Sequence, residues 1–266
     1  MTELDLSQFD NLQKEQVKLG LEQGLDVSVY AKPEFDHWQM DEIRSGLKQG
    51  LDVSWYAKPE FDYNQMYEIQ LGLVEGLDVL LYAKPCFSSG KMQAIRGGLE
   101  RGLDVSFYLN PAFDDRQMYS ILTGLEDGLD VRVYANPRIE PNQMNEIFEG
   151  LKSGVNVGIY RKPEYNAFQM REIRLGLENG VDVSVYAKPE FDEYQMAQIR
   201  YGLESFIDTR IYAKPEFDAA QMGLLRAGLE RELDVTLYAN PDSHYLTMWS
   251  MRGHTQRSTS SCKVVD

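Results

Sequence analysis

The chain of 266 residues (30.6 kDa) carries 42 acidic against 27 basic side chains, a formal charge of −15. Apolar residues make up 43% and charged ones 26%, the balance of an ordinary folded protein, which excludes wholesale disorder and collagen-like structure. No window approaches the roughly 18 consecutive apolar residues of a membrane span, and so acidic a surface disfavours nucleic-acid backbones and anionic membranes as partners.

From Phe9 onward the chain is periodic, with a repeat of 26 residues and no insertion. Tyr returns from Tyr30 to Tyr238, Pro from Pro33 to Pro241 and Met from Met40 to Met248 at that spacing. Such a period marks stacked repeats. The first copy has Lys14 and Lys18 where later copies carry Met and commonly Arg, as a polar cap would. In the second copy, Asp36 and Gln39 form a capping box, and Phe35 with Met40 form a hydrophobic staple. Met40, Ile43 and Leu47 make one apolar stripe, and Gly50 with Leu51 supply the C-terminal cap. A helix is therefore predicted from about 37 to 49. The glycine inside each long helix (Gly46, Gly72, Gly98) costs about 1 kcal/mol against Ala, so a Tyr ring or a neighbouring backbone is expected to approach there.

The segment that follows, Asp52-Val-Ser-Trp-Tyr-Ala-Lys-Pro59, reads two ways. Val-Ser-Trp-Tyr has strand propensity, which would give a β/α horseshoe. Against that, the Asp52 position holds Asp in eight copies and Asn156 in the ninth, as an N-cap requires. In a parallel strand stack those carboxylates would repel at about 4.8 Å, whereas stacked helices separate them by roughly 8–10 Å. A short helix of one to two turns is favoured, stopped by Pro59.

Two-helix units this small bury their stripe only by stacking. The expected fold is thus all-α, an α-solenoid of nine to ten repeats forming one elongated domain over residues 1–253, with a disordered tail at 254–266. Departures fall at Pro141, Asn166 and Phe206, the last removing the usual glycine, and a tenth copy decays at His244 and Thr247.

Segments such as Tyr56-Ala-Lys-Pro-Glu-Phe61 and Gln65-Met-Tyr-Glu-Ile69 carry a resemblance. The unit is similar to tandem repeats of the form Tyr-Ala-x-Pro-x-Phe-x-x-x-Gln-Met-x-x-Ile-Arg-x-Gly-Leu in uncharacterised bacterial proteins, often associated with mobile genetic elements. The resemblance covers nearly the whole chain and implies no particular activity.

Signals for chemistry are sparse. His37, His244 and His254 are the only histidines, and the spacing of His244, His254 and Cys262 matches no zinc module. Two cysteines make no disulfide framework, and Cys86 reads as neutral drift. The glycines fall in no phosphate-binding pattern. The Asp rows suit helix caps better than a calcium loop, and the recurring Tyr suits a core better than a base-stacking surface. Neither a cofactor nor a metal is expected, and an enzyme is disfavoured. The opening Met1-Thr-Glu-Leu-Asp-Leu-Ser lacks the blocks of a secretory signal, so a cytoplasmic setting is expected.

With the Met40 stripe inward, positions equivalent to 38, 41, 42, 45 and 49 are predicted to face outward. They vary between copies and include Trp38, Tyr67, Leu71, Tyr119, Phe168, Arg171, Tyr194 and Tyr201. Neutral solvent faces fill with Lys, Glu and Gln, whereas these residue types are enriched at binding hot spots. Two functions follow as expectations. One is a non-catalytic scaffold that grips a protein with a basic or aromatic-accepting surface. The other is an acidic decoy in the groove of a nucleic-acid-binding protein.

Overall fold

The computed structural model describes residues 6–252. The expected 254–266 tail, with His254 and Cys262, lies outside them. Two units are distinguished, residues 1–141 and 142–266.

Unit 1 contains α1 (Asn11–Glu22), α2 (His37–Lys48), α3 (Tyr63–Val74), α4 (Ser89–Glu100) and α5 (Asp115–Glu126). Unit 2 contains the body of α6 (Pro141–Lys152), then α7 (Ala167–Glu178), α8 (Glu193–Glu204), α9 (Ala219–Leu229) and a helical stretch over 245–252. Within each unit, successive long helices pack side by side, α1 on α2 through to α5, and α7 on α8 on α9. The protein is an all-α solenoid of repeats, and no strand occurs among the described residues.

The punctuation written in the sequence is what shapes each helix. Asp36 accepts from Gln39 N while Gln39 Oε1 accepts from Asp36 N, the reciprocal capping box. Ser88 caps α4 and Asn166 caps α7, so both substitutions keep the function of Asp. At the far end Gly50 takes φ +74°, and Leu51 N and Gly50 N bond back to Gly46 O and Leu47 O. That is a Schellman cap, and it needs a residue without Cβ strain.

The short segment is helical but tighter than expected. Val53–Trp55 is a single 3₁₀ turn capped by Asp52, which accepts from both Ser54 N and Ser54 Oγ. It closes at Tyr56, ahead of Pro59, because Ala57 N and Tyr56 N both turn back onto Val53 O. All fourteen Asp at the two cap positions serve as N-caps.

The repeats from Phe35 to Tyr134 each bury Phe, Met, Ile, Val and Tyr, and the others keep most of that set, with Tyr165, Thr209 and Leu225 as buried replacements. Tyr56 is fully buried, and a Cβ built on Gly46 would lie 1.8 Å from its hydroxyl oxygen. The helix glycine therefore exists to admit the ring. Its presence corrects the predicted stripe, because Gly46 follows Met40 and Ile43 inward while Leu47 is only half-buried. Adjacent repeats are stitched by the capping glutamine, whose Nε2 donates to a carbonyl 22 residues on: Gln39 to Phe61 O at 2.6 Å, and Gln195 to Phe217 O at 2.7 Å.

Candidate functional interface

A capping box fixes where most of the long helices begin, with Ser88 alone capping α4, and Tyr–Gly packing fixes which side turns inward. Together they set which residues point outward. Of the eight predicted residues, Trp38, Tyr67, Tyr119, Phe168, Arg171, Tyr194 and Tyr201 are exposed, and Leu71 is half-buried.

In unit 1 the outward aromatics gather on α2 and α3. The Trp38 ring is 55% exposed, lies 4.8 Å from His37 and sits 5.8 Å from Tyr63, centroid to centroid. Tyr67 stands one turn further along α3. Tyr119 is tied down, its hydroxyl donating to Gln93 Oε1 at 2.7 Å across α4 and α5. In unit 2, Phe168 and Tyr194 are 61% and 67% exposed. Tyr201 is instead stacked by Arg200, 4.4 Å from its centroid, and by Arg226 at 5.6 Å. Such guanidinium stacking orients the ring and uses up its face.

The predicted position of Ser45 is mostly half-buried, with Gly97 buried, and that of Glu42 does not face outward. Residues equivalent to Glu42 lie between successive helices: Glu68 and Ala94 are buried, and Glu42, Glu146 and Glu172 are half-buried. Glu68, Glu146 and Glu172 each meet an arginine from the next repeat, as when Arg96 Nε donates to Glu68 Oε2 at 2.9 Å. At 100° per residue this position borders the neighbouring helix, and a reading of one helix in isolation has no neighbour to place there. The 28-residue offset between Glu and Arg, one repeat plus two, was the available signal.

Sequence reasoning also missed three apolar side chains as candidates. Tyr63 is exposed beside Trp38, and Val74 is exposed at the end of α3. Phe206 replaces a capping glycine yet keeps its backbone geometry, with φ +59°, and is 97% exposed. A large apolar residue held in the left-handed region and turned to water gives the fold nothing in return.

The caps of the 3₁₀ turns form a second, polar feature. Asp26 and Asp104 are exposed, and hydrogen bonds from Ser28 and Ser106 hold both carboxyls below their usual range. They stay ionised at any physiological pH.

No helix among the described residues is long and apolar enough to cross a membrane. Comparison with protein-family models, curated proteins and solved structures finds no match to the chain.

Proposed function

We propose that the protein is a non-catalytic interaction scaffold that grips another protein through the outward face of its long helices. The observation that carries this reading is the group of Trp38, Tyr63 and Tyr67, presented to water on two helices fixed by capping and core packing, with the half-buried His37 against Trp38. Rigid frames that display aromatic side chains bind well because little side-chain entropy is lost on contact. The formal charge of −15 favours a basic partner and opposes nucleic acid or an anionic membrane as a direct ligand. A cytoplasmic setting suits the free, exposed Cys86, since unpaired surface thiols persist in reducing compartments.

The test is Trp38→Ala combined with Tyr67→Ala. Partner capture from a lysate of the source cell should be lost while the melting temperature stays within a few degrees. Unfolding of the double variant, or unchanged capture, would remove the reading.

A second reading, an acidic decoy for a nucleic-acid-binding protein, draws on the exposed cap carboxylates at eight of the nine described 3₁₀ turns, the ninth being capped by Asn156. It requires binding that weakens steeply with salt and is insensitive to Trp38 and Tyr67. Salt-resistant capture that depends on the aromatics counts against it.

A further inference from the structure

Between neighbouring long helices a guanidinium recurs. In unit 1, Arg44 Nε donates to Gln16 Oε1 and Arg96 Nε to Glu68 Oε2, both at 2.9 Å. In unit 2, Arg174 and Arg200 reach Glu146 and Glu172 at the same distance. The partners are 28 residues apart in every case. A second carboxylate one helical turn on, such as Glu178 or Glu204, takes the same arginine's Nη1. At the α4–α5 junction the arginine position holds Leu122 and its counterpart holds Ala94, both buried, so charge and countercharge are absent together.

The α2–α3 junction breaks this rule on one side only. Residue 70 is Gln, yet its counterpart Glu42 is still a carboxylate. Among the described residues, no side chain donates to that carboxylate. Burial, reinforced by the Asp41 charge, pushes its pKa up to about 7. Gln70 is only 5% exposed. Its Nε2 donates to Ser45 Oγ at 3.2 Å, while its Oε1 is buried without a donor. Where other repeats place the second carboxylate, this one places the exposed Val74.

Thus a half-buried carboxylate without a cation and a buried amide oxygen without a donor stand where the fold elsewhere seats a guanidinium. We propose that the α2–α3 junction of unit 1 is a docking site for an arginine side chain of the partner protein, whose guanidinium takes the place left by residue 70. Its head engages Glu42 and Gln70 Oε1, and its aliphatic stem lies along Leu71 and Val74. Tyr67 and Trp38 occupy the same two helices and contact the flanking partner residues. A planar five-donor fork suits two acceptors in fixed positions better than an ammonium does. The proposal rests on the interaction-scaffold reading and narrows it to a partner that offers an arginine.

The probe is N-acetyl-arginine amide, titrated into the full chain and followed by NMR at the Gln70 side-chain amide and the Trp38 indole. Saturable shifts are expected, roughly tenfold weaker with N-acetyl-lysine amide and absent with the uncharged citrulline analogue. Binding should strengthen as pH rises through about 7, where Glu42 ionises. Glu42→Gln should abolish it. Gln70→Arg, which supplies the guanidinium from within, should abolish it too while raising the melting temperature, a readout that separates site filling from misfolding. Shifts that never saturate, that persist in Glu42→Gln, or that are equal for lysine would overturn the site. If arginine amide fails while Trp38→Ala/Tyr67→Ala still loses capture, the docking site falls and the aromatic face stands. If arginine amide binds but capture ignores the aromatic substitutions, the aromatic face falls instead.

Discussion

The Tyr108 hydroxyl donates to Ala94 O at 3.1 Å, and a Cβ built on Gly98 would sit 2.0 Å from its oxygen. The ring is fully buried and has nowhere to retreat. Gly98→Ala is therefore expected to destabilise by about 1–3 kcal/mol from overpacking, despite the better helix propensity of Ala. In Gly98→Ala/Tyr108→Phe the nearest ring carbon would be 3.3 Å away, so the double variant should recover part of the loss in a thermodynamic cycle. Glu42 supplies the second residue-scale prediction. Its folded pKa is raised from 4.5 to about 7, so the folded state holds the proton more tightly than the unfolded chain does. The stabilisation this gives is complete below pH 4.5 and is lost as pH rises through about 7. The difference in melting temperature between wild type and Glu42→Gln should follow that curve, in favour of the variant at high pH.

At the scale of the element, one glutamine does two tasks. Gln65 Oε1 accepts from Asp62 N, completing the cap of α3, and Nε2 donates to Phe87 O in the next repeat at 2.7 Å. Asp62→Ala removes only the cap and should cost about 1 kcal/mol. Gln65→Ala also leaves a buried carbonyl without its donor and should cost about 2 kcal/mol, measured by denaturant unfolding. Lys91 shows that the tether survives without the amide, since its Nζ reaches Pro111 O at 2.8 Å. Phe206→Gly should stabilise by about 1 kcal/mol, because the left-handed geometry penalises a side chain that packs on nothing. The capping box, the staple and the C-terminal glycine were legible in the sequence because each is a local contact within five residues. The 3₁₀ turn was less so: Val-Ser-Trp-Tyr favours a strand locally, and the Asp52 cap with the return of Ala57 N to Val53 O overrides that preference.

At the scale of the whole molecule, a repeat array is removable in whole periods. Deleting residues 191–216 in unit 2 would bring Gln169 Nε2 to Phe217 O in place of Phe191 O. Helical ellipticity per residue should be unchanged and the denaturant m-value should fall with the buried area. Deleting half a period would put helix against turn and should abolish the cooperative transition. The sequence by itself determined the period, the helical repeat, both sets of caps and most outward positions, because all of these arise from contacts made within one unit. Only the tertiary structure decided which side chains lie between one repeat and the next. Tyr63 joins Trp38, Arg96 meets Glu68, and Glu42 is left without a cation, all across the packing of one helix on the next. Burial at such a junction, and with it the energy of a charge, depends on the neighbour's side chain and cannot be assigned from one helix alone.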